Sequence, residues 1–94
     1  MEADTFEPLL NQKFKIRFSE EHEYEFELIE VTRRPFIESL SISPFILFFR
    51  GNKDLPIFNQ GYYKLSHQAI GEISIFLNPR QPDSNGIYYE FIYN

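Results

Sequence analysis

Gly61-Tyr-Tyr-Lys-Leu-Ser-His-Gln-Ala-Ile-Gly-Glu-Ile-Ser-Ile-Phe-Leu-Asn-Pro79, followed by Asn85-Gly-Ile-Tyr-Tyr-Glu-Phe-Ile-Tyr-Asn94, reads as consecutive β-strands running to the last residue. Tyr62 to His67, Ile70 to Leu77 and Ile87 to Tyr93 are rich in β-branched and aromatic residues. In the second, Ile73, Ile75 and Leu77 alternate with Glu72, Ser74 and Phe76, the period of a half-buried strand. Asn78-Pro79 and Asp83-Ser-Asn-Gly86 bracket a loop, with Asn-Gly available for a positive φ at its tip.

The same reading extends towards the N-terminus. Lys13-Phe-Lys-Ile-Arg-Phe18 sets Phe14, Ile16 and Phe18 on one face and three bases on the other; Glu23-Tyr-Glu-Phe-Glu-Leu28 repeats the pattern with acids. Ser19 to His22 suits a hairpin connection. Because paired residues share a face, the registers that match aromatic with aromatic also set each base against a Glu. Thr32 to Ser41 is expected to be irregular after Arg34-Pro35, Ile42 to Arg50 forms a strand apolar on both faces, and Gly51 to Asp54 turns. Asp4-Thr-Phe-Glu7 matches a capping box, predicting a helical turn over Thr5 to Leu10 that plugs the sheet with Phe6, Leu9 and Leu10. The fold class is therefore all-β: a small single-domain antiparallel barrel or sandwich of about six to seven strands with a short N-terminal helical turn.

Ninety-four residues suit one domain, residues 1–94, whose core must be dense because a chain this small buries only about 60 to 65% of its unfolded surface. Eleven Phe and six Tyr supply that density. The chain has no Cys, which removes thiol chemistry and fits a reducing compartment, so a cytoplasmic location is expected. The acidic opening Met-Glu-Ala-Asp lacks the features of a signal peptide, and no apolar run approaches a membrane span. Residues 1–31 hold nine acids against three bases and residues 32–94 five acids against six bases; minus six and plus one give the net charge of −5. Scattered bases on an acidic chain make nucleic acid an unsuitable partner.

Constellations that carry chemistry are sparse, and no catalytic, cofactor-binding or metal-ligating residues are expected. Ser66 and His67 are neighbours on a strand and so point to opposite faces. His22 and His67 lack ligand spacing with the carboxylates. The four glycines are isolated, so no phosphate-cradling loop exists; Gly61 and Gly71 are expected to allow a positive φ, a bulge or a close strand approach.

What remains is apolar surface. Each strand has one clear core row, leaving a second row of Ile29, Val31, Ile46, Phe48, Phe76, Tyr88 and Ile92 to be covered by residues 32–41, by the N-terminal turn or by another protein. The tyrosine pairs Tyr62-Tyr63 and Tyr88-Tyr89 each send one ring inward and one outward. The candidate interface is Phe48, Phe76, Tyr88, Ile92, Tyr62 and Tyr63, and the terminal strand Ile87 to Tyr93 is a candidate edge for strand addition.

Gln60-Gly-Tyr-Tyr-Lys-Leu-Ser-His67, Ile70-Gly-Glu-Ile-Ser-Ile-Phe-Leu-Asn-Pro79, Tyr88-Tyr-Glu90 and Phe91-Ile-Tyr-Asn94, with Phe6, Leu9, Leu10, Phe14 and Phe49-Arg-Gly51, together resemble an uncharacterised bacterial domain family of this length. The resemblance implies a stand-alone small β-domain of unknown function, associated with gene clusters encoding phage-tail-collar-like proteins. Asn11 stands where that family pattern has Gly, and Asn tolerates the left-handed conformation. Two functions follow as expectations: a non-enzymatic interaction or assembly module that takes a protein partner or copies of itself, or a β-barrel that binds a small ligand or glycan.

Overall fold

The computed structural model describes residues 1–94. A short helix, α1 (Ala3–Phe6), and a 3₁₀ turn (Glu7–Leu9) precede six strands: β1 (Lys13–Ser19), β2 (His22–Arg33), β3 (Phe45–Gly51), β4 (Gly61–His67), β5 (Gly71–Asp83) and β6 (Gly86–Tyr93). The strands close into an antiparallel barrel in the order β1-β2-β3-β6-β5-β4, with β1 joined to β4. Barrel rather than sandwich is thus the outcome, and closure leaves no open edge. The expected free edge at Ile87 to Tyr93 is corrected: β6 is paired with β3 on one side and β5 on the other.

Alternation sets the β1–β2 register as expected. Phe14 faces Phe26, while Lys13, Lys15 and Arg17 stand opposite Glu27, Glu25 and Glu23. A one-residue slip would carry these charges into the interior. The inward rows, including Phe14, Ile16, Phe26, Leu28, Leu47, Phe49, Leu65, Ile75, Leu77 and Tyr89, fill the barrel almost without exposure. At one mouth Ala3, Phe6 and Leu9 form a plug, with the Phe6 ring 5.9 Å from Phe45. At the mouth beyond Gly51 the connection 52–60 folds in. Phe58 stacks on Phe18 at 4.4 Å and 8°, and its backbone N–H donates to the Tyr89 hydroxyl at 2.8 Å.

Several local expectations are corrected. The N-terminal helix starts at Ala3, not Thr5, with Glu2 as its N-cap and no side-chain cap. Asp4 and Glu7 turn to Arg33 at the end of β2 instead of forming a capping box. Leu10 is 42% exposed and takes no part in the plug. β5 runs to Asp83 rather than stopping near Leu77, so the expected loop is a two-residue turn. The Asp83 carboxylate accepts from the Asn85 and Gly86 N–H groups, and neither residue takes a positive φ. Glycine is needed at 86 for space, since a Cβ there would strike the Gly51 carbonyl oxygen. Gly71 does take the left-handed conformation, with φ 72°; Gly61 does not.

β2 carries an irregularity between Leu28 and Glu30. An extra residue in one strand reverses the faces beyond it. Val31, placed in the outer row by simple alternation, is therefore packed against the core opposite Leu47.

The barrel is built from two similar halves, β1–β3 and β4–β6. Adding 49 to each number of the pairs Lys13↔Glu27, Phe14↔Phe26, Lys15↔Glu25, Ile16↔Tyr24 and Arg17↔Glu23 gives Tyr62↔Phe76, Tyr63↔Ile75, Lys64↔Ser74, Leu65↔Ile73 and Ser66↔Glu72, all of which are pairs of β4 with β5. β1–β4 and β3–β6 are antiparallel, as a pseudo-twofold relation between the halves requires. Inner positions stay apolar under this mapping. Outer positions keep theirs only in part: Lys15 maps to Lys64 and Glu23 to Glu72, whereas Lys13 and Glu27 map to Tyr62 and Phe76.

Candidate contact surface on the barrel exterior

Outward apolar residues lie on β3 and β6 near the plugged N-terminal mouth and on β5 and β4 towards the mouth closed by 52–60. Thr32 pairs with Ile46, Ile46 with Ile92, and Phe76 with Tyr62. The β5–β6 ladder ends at Asn78 opposite Glu90, and Phe76 and Ile92 are the next residues on the same face of their strands beyond that pair. Ile46 with Ile92 and Phe76 with Tyr62 are thus two outward apolar pairs, together an apolar band interrupted where the β5–β6 ladder ends. Tyr62 is 74% exposed, and its ring meets Phe76 edge-on at 5.0 Å and 72°. Such a contact fixes the ring's orientation and leaves its other face to solvent.

The remaining candidate residues separate from this band. Phe48 and Tyr88 stack on each other at 5.3 Å and 16°, but they sit among charges. Glu30 and Glu90 are opposite Phe48, and Arg50 and Arg80 opposite Tyr88. The Tyr88 hydroxyl donates to Asp83 at 2.8 Å. That bond holds the Asp83 carboxyl below the ordinary carboxylate range, helped by the Asn85 N–H, and raises the Tyr88 phenol. Tyr63 turns inward, 4.8 Å from Phe18, with its hydroxyl donating to the Asn59 carbonyl at 2.6 Å. It belongs to the packing of the barrel mouth, so Tyr62 alone of that pair offers its ring to solvent.

Beside the band projects the connection 34–44, which was expected only as an irregular cover. It does not lie over the second row. Phe36 and Leu40 are themselves 59% and 61% exposed. A cleft of about 270 Å³ at its base is lined by Pro35, Ile37, Pro44, Ile92 and Tyr93, which makes the connection and the band one continuous surface. Composition gave this segment away only as Pro35-Phe-Ile and an isolated Leu40, a signal too short to carry a period.

The polar candidates are structurally satisfied. His67 Nδ1 accepts from the Ala69 N–H at 2.9 Å, so Nε2 bears the proton and donates to Gln12 Oε1 at 2.8 Å. The ring lies 4.7 Å from Phe14, holding the β4–β5 turn to the start of β1. A cleft of about 470 Å³ next to it is lined only by polar and charged groups and glycine, among them Lys13, Lys15, Glu25 and Ser66. Ser19 Oγ and His22 Nδ1 lie 2.8 Å apart at the β1–β2 turn. No helix is long and apolar enough to cross a membrane.

No curated protein and no solved structure matches the chain. At the level of families, residues 1–93 match the one described as Domain of unknown function (DUF6916). That span takes in the plug, all six strands and the outer band, and the chain belongs to this family of domains of unknown function.

Proposed function

We propose that the protein is a non-enzymatic interaction module that docks another protein chain on the band of Ile46, Ile92, Phe76 and Tyr62. One observation carries the reading. The two halves of the barrel share a register, yet the outer pair Lys13↔Glu27 of the first half is replaced in the second by Tyr62↔Phe76. The first half folds with a charged pair at this position, so the fold does not require aromatics there.

Exposed aromatic area is costly to leave in water and favourable to cover. Covering the exposed ring of Tyr62 is worth about 2 kcal/mol of transfer free energy before the costs of association are met. A tyrosine held by an edge-on neighbour gives large contact area at low entropic cost, the character of an interface hot spot. The band carries no charge, which favours a protein partner over a phosphate backbone.

The test is cross-linking in the cells that produce the protein, with a photoreactive phenylalanine at position 62 and, as control, at position 15 in the charged row. Adducts of discrete mass from position 62 and none from position 15 are expected. No adduct from position 62, or equal adducts from both, would overturn the reading.

A further inference from the structure

We infer that the partner on this surface is a second copy of the chain, bound across a twofold axis through the finger of residues 34–44. The inference rests on the reading of the band as a contact surface and adds the identity of what covers it.

The finger is built to be rigid. Its base is closed by the Arg34 N–H donating to the Pro44 carbonyl at 2.9 Å, and its stem by two bonds between Ile37 and Ile42, at 2.8 and 3.2 Å. Ser41 takes the left-handed conformation at φ 51° to turn the chain after Glu38–Leu40. A loop already held in shape loses little entropy on docking. Yet Phe36 and Leu40 project from it with more than half of each residue in solvent.

Charge selects the occupant. Residues 34–44 contain one base, Arg34, and one acid, Glu38, so the finger is neutral on a chain of net charge −5. Neither side chain makes an ion pair within the molecule. In a twofold contact residue i meets j and j meets i. Two fingers laid antiparallel would therefore place Arg34 of each copy against Glu38 of the other, forming two ion pairs from four unpaired charges.

Area is consistent with such a dimer. At about 200 Å² per large side chain, Phe36, Leu40 and Ile92 together expose roughly 330 Å² at their observed fractions. That is about two fifths of the ~800 Å² per partner of a standard interface, before the half-buried Ile37, Ile42 and Ile46 are added. The cleft at the base of the finger, about 270 Å³ and lined by Ile37 and Ile92, offers the partner's Phe36 or Leu40 a seat.

The test uses the full chain in light scattering and sedimentation equilibrium at micromolar concentration. A species of twice 11.3 kDa is expected for the natural sequence. Arg34→Glu and Glu38→Arg should each weaken it, about 10-fold for two lost exposed pairs plus the repulsion that replaces them. Arg34→Glu with Glu38→Arg in one chain, or an equimolar mixture of the two single variants, should restore it. Leu40→Asp, with circular dichroism to verify folding, should give a monomer. A monomeric natural chain, a dimer indifferent to Leu40→Asp, or a charge exchange that fails to restore association would each overturn the inference. A monomer whose position 62 still yields adducts with a different protein would remove the second copy and leave the interaction reading standing; a monomer with no adducts would remove both.

Discussion

Asn11 occupies the left-handed region at φ 69°, where its N–H donates to the Leu28 carbonyl at 2.7 Å and joins the N-terminal plug to the barrel. Asn11→Ala should cost about 1 kcal/mol, a fall of about 4 to 8 °C in the melting temperature, while Asn11→Gly should leave it level or higher. A thermal melt of both variants checks the sign. Tyr89 is fully buried, and desolvation raises its phenol above the ordinary tyrosine range. Since the folded value lies above the unfolded one, the stability this group contributes is complete below about pH 10 and lost as pH rises through the raised value. Tyr89→Phe should cost about 1 kcal/mol at neutral pH, through the Phe58 N–H left without its acceptor, and should flatten the alkaline limb of the stability curve. Denaturant midpoints from neutral to strongly alkaline pH measure both effects. At this scale the sequence was informative where a residue type has one physical use. The family resemblance puts Gly where Asn11 stands, and Asn11 does take the left-handed conformation that Asn tolerates, whereas Asn85-Gly86 misled, because the Asp83 side chain closes that turn and Gly86 serves to clear the Gly51 carbonyl.

The N-terminal plug is held from outside by Arg33, which ion-pairs with Asp4 and donates two hydrogen bonds to Glu7, at 2.8 and 2.7 Å. The hydrogen bonding from Arg33 holds the Glu7 carboxyl below its ordinary range. A depressed folded value means that the stabilisation is present above the ordinary carboxylate range and lost as pH falls through the lowered value. Arg33→Ala should therefore speed amide exchange of Phe6 and Leu9 several-fold at neutral pH while leaving β1 and β6 protected, and lowering the pH should have the same effect on the natural chain. Exchange followed by mass spectrometry or NMR reads this segment by segment; equal exchange in both chains would contradict the anchoring role. Strands were legible wherever apolar and charged residues alternate, as in β1 and the first half of β2. β5 was read short because Asn78-Pro79 and Asp83-Ser-Asn-Gly86 resemble the two ends of a loop, although Pro79 lies in the ladder opposite Tyr89. The irregularity near Ile29 was invisible because no Gly or Pro marks it, and Val31 was placed on the wrong face in consequence.

Across the whole molecule, two plugs and one continuous set of inward rows complete the core, so the barrel does not depend on the outer band for its packing. The duplication of register that exposes this point was not legible, because between β1–β2 and β4–β5 the halves share apolar character at inward positions and few identical residues. The charged row of one half and the aromatic pair of the other meet the same backbone requirement with different side chains. Of the candidate site, Tyr62, Phe76 and Ile92 were legible as surplus apolar positions; the finger was not, since eleven residues between two strands show neither helical nor strand period. The central claim is that the band lies outside the core and is free to serve contact. The melting temperature of Tyr62→Glu combined with Ile92→Glu, measured in dilute solution, tests it most directly. Loss of partly exposed side chains should cost less than about 1.5 kcal/mol, a fall of under about 12 °C with native circular dichroism. A chain left unfolded at room temperature would mean that two charges had entered the core, and would contradict the account.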